Sequence, residues 1–229
     1  MEFENDFLIE DKQNKGKKNT FKILLNILIA IVGVMCVITI VFYTIFFQIR
    51  VIGVSMQPTY NELLSIDEDP DTSPYQDVVV VNRFYKGNNG DVIIIKTASK
   101  NLIKRLIAKA GQTLVLKRIG TDEYFKFYVD NQELDEKYLG ENYKNMDSQY
   151  FNQFRNVDGA VVGMDEDGNL QASLVIPDGH VFALGDNRGN SADSLTYGPF
   201  EESQVLGTVA MSYKYNENIF VGIWHAIFG

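Results

Sequence analysis

Ser55 stands in the run Gly53-Val54-Ser55-Met56-Gln57-Pro58-Thr59. Gly53 frees the backbone and Pro58 stiffens it, which puts the hydroxyl on a constrained turn. Most Ser-x-x-Pro stretches are turns and nothing more. Lys104 stands in Leu102-Ile103-Lys104-Arg105-Leu106-Ile107-Ala108-Lys109-Ala110-Gly111. On a strand, Leu102 and Leu106 share its face while Ile103 and Arg105 point the other way. An amine beside two aliphatic groups is a candidate for desolvation, which lowers a lysine pKa. The competing reading is a surface lysine whose stem lies on apolar neighbours and whose head reaches water. A third segment, Gly185-Asp186-Asn187-Arg188-Gly189-Asn190-Ser191-Ala192-Asp193-Ser194, follows an apolar run. Its short polar groups can cap their own turns, or they can orient a catalytic group from behind. Local composition does not choose between these readings.

Other chemistries are disfavoured by composition. With one cysteine, Cys36, no intramolecular disulfide or cysteine-based metal site exists, and His180 and His225 cannot build a three-histidine site. No metal and no cofactor are expected. The net charge of −9 repels polyanions, and no basic cluster lies beyond the N-terminal region, so nucleic acid is not an expected partner. A hydrophobic fraction of 45% with 22% charged residues excludes wholesale disorder. At 229 residues the chain holds one domain plus an accessory segment.

That accessory segment is the N-terminus. Residues 23–49 are uncharged, about 27 residues of almost unbroken apolar character, enough to cross roughly 30 Å of hydrocarbon. A cleaved signal sequence would have a shorter apolar core and a small-residue exit, whereas Phe46-Phe47-Gln48 stands here, so a retained anchor is expected. Lys12, Lys15, Lys17, Lys18 and Lys22 precede the span, and only Arg50 follows it before Arg83. By the positive-inside rule residues 1–22 are cytoplasmic and residues 50–229 lie outside.

The exported part reads as mainly β, a curved or barrel-like set of sheets. Strand-like runs are 77–81, 91–96, 113–117, 125–129, 181–184 and 205–210, with a turn at 86–90. No convincing amphipathic helix follows Arg50 beyond a short turn near 61–64. Residues from about 130 to 177 mix Tyr138, Tyr143, Tyr150, Phe151 and Phe154 with many polar residues and Gly, and read as a hairpin-rich insertion rather than core sheet. The apolar stretch 219–228 is too short to span a membrane as a helix and is expected to pack on the domain.

Taken together, the segments resemble the boxes of type I signal peptidases, membrane-bound serine proteases that remove signal peptides. Ser55-Met56-Gln57-Pro58-Thr59 matches the nucleophile box Ser-Met-x-Pro-Thr, and Gly90-Asp91-Val92-Ile93 is similar to the Gly-Asp-aliphatic box. Residues 104–111 resemble the lysine box, and 185–194 the final one. The resemblance implies Ser55 as nucleophile, Lys104 as general base, and the Ser55 backbone N–H as an oxyanion donor. It further implies that Ser191 and Asp193 orient the lysine and hold the final box, with Asp186 in support and Met56 near the bound substrate. The substrates it implies are exported preproteins lying extended along a sheet edge, cut after a small residue, with the anchor in the lipid bilayer. A lysine of ordinary pKa is neutral in only about 0.04% of molecules at pH 7, but in roughly 9% if the pKa is about 8.

Two departures stand out. Gly53 occupies the position where some members carry a serine as second oxyanion donor, and Leu195 stands where Asp-Ser-Arg usually ends, leaving Arg188 or Arg105 to partner Asp193. A non-catalytic relative that assists surface-protein assembly is the alternative. A self-cleaving repressor fits poorly with the anchor. One anchor and a compact exported domain look more like a Gram-positive member.

Overall fold

The computed structural model describes residues 2–64, 76–118, 125–140 and 148–214, with side chains from Phe21 onward. The chain divides into two units, Met1–Ile45 and Phe46–Gly229. The first is the helix α1 (Glu2–Ile45). Its stretch Phe21–Ile45 has mean hydropathy 2.9 and none of it is buried, with Leu24, Ile31, Val37 and Ile40 among its exposed side chains. A helix apolar all round and uncovered by protein is long and apolar enough to cross a membrane. Within Phe21–Ile45 the Thr39 and Thr44 hydroxyls donate to the Met35 and Ile40 carbonyls at 2.8 Å, so neither hydroxyl needs water. The helix stops at Ile45, short of the end of the apolar run, and Phe46–Arg50 is a strand instead.

The second unit is antiparallel β. Its strands in chain order are β1 (Phe46–Arg50), β2 (Asp77–Asn82), β3 (Val92–Lys96), β4 (Asn101–Lys109), β5 (Thr113–Lys117), β6 (Lys126–Val129), β7 (Gln132–Glu133), β8 (Val161–Met164), β9 (Leu170–Val175), β10 (His180–Leu184), β11 (Phe200–Glu201) and β12 (Val205–Lys214). Two short helices, α2 (Ser148–Arg155) and α3 (Ser194–Tyr197), complete the described residues together with a 3-10 turn at Glu202–Gln204. One sheet has the order β1-β2-β12-β3-β4-β10-β11 and the other β7-β6-β5-β9-β8. Both orders are open, so the larger sheet is a curled half-barrel and not a closed one. Irregularities in the β4–β10 and β12 pairings bend it. All six strand-like runs read from the sequence are strands.

Residues 130–177 do more than decorate this sheet system. They supply β9, which pairs with β5 from Thr113↔Val175 to Lys117↔Gln171. They also supply α2, whose Tyr150, Phe151 and Phe154 are buried against Phe125, Phe127 and Phe182 in the largest apolar cluster. An amphipathic helix is therefore present where none was expected. At eight residues it is too short for its period to show, and it is held by tertiary packing rather than propensity. Tyr143 and the stretch 219–228 lie outside the described residues.

Two smaller clusters flank the larger sheet and aim the site. Ile93, Ile95, Leu102, Leu106, Val181, Ala183 and Phe200 bury one face of β4. Val51, Met56, Tyr60, Val79, Val81, Val92 and Ile94 form the floor beneath the turn that carries Ser55.

Candidate active site

The Ser55 turn is clamped through its carbonyls. The fully buried Asn61 donates from Nδ2 to the carbonyls of Val51 and Gly53, both at 2.9 Å. Its other side exchanges hydrogen bonds with Asp77 at the start of β2: Asn61 N–H to Asp77 Oδ2 at 2.6 Å, and Asp77 N–H to Asn61 Oδ1 at 2.8 Å. Gln57 Nε2 closes the following loop on the carbonyls of Asn61 and Leu64. From the opposite side, Asn187 donates its N–H to the Ser55 carbonyl at 3.1 Å and Nδ2 to the Val54 carbonyl at 3.2 Å. Among the described residues the Ser55 N–H donates no hydrogen bond.

Lys104 projects from β4 with 2% exposure, and its Nζ lies 2.8 Å from Ser55 Oγ and 2.8 Å from the Ile103 carbonyl. Burial pulls its ammonium from 10.5 down to about 8; Asp193 opposes this, Lys100 reinforces it, and Asp186 opposes it more weakly. Leu102 and Leu106, the two aliphatic neighbours on its face, are both buried. The snorkelling alternative is thereby excluded.

Behind the pair stands an ion pair that sequence reasoning did not draw. Asp186, fully buried, accepts from Arg105 Nε at 2.8 Å and Nη2 at 2.5 Å, and from the Thr59 hydroxyl at 2.5 Å. Arg105 also donates to the Gly90 carbonyl at 2.6 Å and stacks 3.7 Å over the Tyr138 ring. One guanidinium thus ties together the nucleophile, Gly-Asp, lysine and final segments. Arg188 donates to the Gly185 carbonyl and pairs with Glu136.

Asp193 receives backbone donors: Gly185 N–H at 2.9 Å on one oxygen, and Leu195 N–H at 3.1 Å on the other, where it caps α3. Both carboxylate oxygens are thereby hydrogen-bonded without the arginine that Leu195 replaces. Ser191 Oγ is buried and has no hydrogen-bond partner among the described residues. Met56, expected near substrate, is 1% exposed and packed against the floor of the site. It supports the turn from below and does not line the cavity.

That cavity, of about 420 Å³, opens over Ser55 and Lys104. Its walls include Ile49–Ile52 on one side and Lys100–Ile103 on the other. Val78–Val81 are buried in β2 and do not line it. Among the described residues no cluster of three or more His, Cys, Asp or Glu side chains is placed to hold a metal.

Gly185 is the further residue that sequence reasoning missed as a site component. A Cβ there would lie 2.2 Å from Ser191 Oγ and 2.5 Å from the Ser55 carbonyl oxygen. The serine side chain can rotate away, but the carbonyl belongs to the nucleophile turn and cannot move without moving Ser55. We expect Gly185→Ala to lower kcat at least tenfold and to cost about 1–3 kcal/mol of stability. Unfolding in urea beside precursor cleavage checks this; unchanged activity would show that the close approach is dispensable.

The chain matches the profile of the family described as signal peptidase, peptidase S26, over residues 24–214. It belongs to that family. It is 28% identical over 206 residues to signal peptidase I of Bacillus licheniformis, covering 88% of this chain and 92% of that protein. To signal peptidase IB of Staphylococcus aureus (strain MRSA252) it is 31% identical over 141 residues, 58% of this chain and 65% of the other. A crystal structure of a signal peptidase I from Enterococcus faecalis V583 is 25% identical, with a TM-score of 0.37, covering 54% of this chain and 97% of that one.

Proposed function

We propose that this protein is a signal peptidase that removes N-terminal signal peptides from exported preproteins by acyl-enzyme catalysis on a Ser55–Lys104 dyad. The observation that carries the reading is the 2.8 Å contact between Ser55 Oγ and the buried Lys104 Nζ. Neutral Lys104 takes the hydroxyl proton as Ser55 Oγ attacks the scissile carbonyl. The Ser55 N–H stabilises the oxyanion, with Gly53 contributing no side-chain donor. Lys104 then protonates the leaving amine and deprotonates the water that releases the acyl group. In this scheme Asp193 acts on the lysine through its charge and fixes the Gly185 backbone, while Asp186 holds the final segment.

The substrate lies extended in the cavity between the two wall segments. β1 is an edge strand, and β10 covers β4 only from Arg105 onward, so Asn101–Lys104 keep one edge open for a peptide strand. The apolar helix ending at Ile45 anchors the protein in the cell membrane as a single span, with the lysine-bearing N-terminal segment cytoplasmic and the part from Phe46 onward extracytoplasmic. A signal peptide's apolar segment shares that bilayer, which raises the effective concentration of scissile bond and Ser55 without new contacts.

The test is incubation of the membrane-reconstituted protein with a labelled preprotein beside a folded Ser55→Ala variant. Cleavage after a small residue is expected from the parent alone. Cleavage by both proteins would mean that another group is the nucleophile. Failure on several preproteins would favour a scaffold that assists surface-protein assembly.

A further inference from the structure

The charge around the cavity is opposite to that of the protein. The chain carries −9 overall, yet the charged residues that line the cavity, among those described, are Arg50, Lys100 and Lys104, with no carboxylate. Lys100 also lines a second depression of about 330 Å³ that continues from the first, sharing Leu102 with it and reaching Tyr197, Phe200 and Gln204. It is the one charged residue described there.

Lys100 is also held in place. Its carbonyl accepts from the Thr97 N–H at 2.9 Å and the Thr97 hydroxyl at 2.6 Å, and its own N–H lies 3.2 Å from that hydroxyl. These bonds close the β3–β4 hairpin, so the backbone is fixed while the exposed side chain extends into the two depressions. Among the described residues its ammonium has no carboxylate partner. Lys100 closes the hairpin immediately before β4, four positions before Lys104, and both side chains line the first cavity.

Resting on the reading of the site given above, we infer that Lys100 is a specificity-determining residue that favours precursors with an acidic side chain about four residues from the scissile bond. A peptide strand paired with Asn101–Lys104 and reacting at Ser55 passes Lys100 at that distance on one side of the cut. A carboxylate there meets an unpaired ammonium, and a lysine there meets like charge. Lys100 faces Lys104 electrostatically as well, and the carboxylates that act on Lys104 from the final segment, Asp186 and Asp193, are both buried.

The experiment uses the full-length protein in detergent or vesicles and a precursor peptide with Ala at the −1 and −3 positions. Glu, Gln or Lys is placed singly at each position from three to six residues on either side of the cut. For the parent, kcat/KM is expected to favour Glu over Lys by roughly threefold, the size of an exposed ion pair, at one position near the fourth. The ratio falls toward one at about 1 M salt. Lys100→Gln removes the preference and Lys100→Glu inverts it. Because the readout is a ratio between peptides, any general change in rate through Lys104 cancels. Peptides cleaved with a ratio of one throughout would overturn this inference and leave the proposed function standing. A ratio unchanged in Lys100→Gln would assign it to another cation and overturn the role of Lys100. Peptides that none of the proteins cleave would overturn both.

Discussion

Replacing Lys104 with Met is expected to lower precursor cleavage by about a thousandfold or more while making the protein more stable near pH 7. The catalytic half follows from removal of the only base within hydrogen-bond reach of Ser55 Oγ among the described residues; general-base catalysis supplies about 10²–10⁴, and the serine is inert without it. The stability half follows from the sign of the pKa shift. In the folded protein the Lys104 pKa is about 8, below its ordinary value of 10.5. Between those values the unfolded chain binds more protons than the folded one, so stability rises with pH across the interval. Below about pH 8 both states are protonated, and the fold bears the full cost of a buried ammonium, about 3 kcal/mol for a shift of this size.

Methionine has similar length and no charge. It removes that cost but forfeits the bonds to Ser55 Oγ and the Ile103 carbonyl, each contributing about 1 kcal/mol. A net gain of about 1–2 kcal/mol remains near pH 7, shrinking toward pH 10. Urea unfolding at the two pH values measures it. In the parent, kcat/KM is expected to climb as pH rises through about 8 and then level off, because the proposed base acts as the neutral amine. A profile flat from about pH 6 to 9 would remove Lys104 from the base role.

How much of this was legible beforehand divides along sequence separation. The strands were readable because β-branched runs such as Val78–Val81 and Ile93–Ile95 are local signals bounded by turns. Ser55 and Lys104 were readable as members of boxes, and Leu102 and Leu106 already suggested why the amine would be dry. Asn61 looked like part of a loose turn, yet it is the post on which the Ser55 turn hangs; its bonds reach back to Val51 and forward to Asp77. The reach of Asn187 to Val54 spans 133 positions, and no local pattern announces a contact of that length. Met56 was misplaced for the related reason that a strand-free turn has no period from which to tell its inward from its outward side. The helix α2 shows the opposite failure: its apolar residues were seen, but their polar company suggested a surface insertion. What decided their burial was the aromatic wall of Phe125, Phe127 and Phe182, supplied by segments on both sides in sequence.

The ion pair between Asp186 and Arg105 leads to the second large effect, an expected loss of about 3–5 kcal/mol in Asp186→Ala. Both side chains are shielded, at 0% and 9% exposure, so the cost is not the modest attraction of a surface pair. Removing the carboxylate leaves Arg105 buried with, among the described residues, the Gly90 carbonyl, the Thr59 hydroxyl and the Tyr138 ring to answer its charge. Thr59 loses the acceptor for its hydroxyl in the same step. Asp186→Asn keeps an acceptor for both, and about half the loss is expected. Asp186 lies between Gly185 and Asn187, whose positions govern the Ser55 carbonyl, so kcat should fall with little change in KM. The charge itself has a separate signature. Asp186 raises the Lys104 pKa, so in Asp186→Asn the rising limb of the pH profile moves to lower pH. Loss of stability alone would leave that limb where it was, and a limb that stays put would limit Asp186 to holding the segments together. Thermal unfolding and a pH series on both variants separate the two roles.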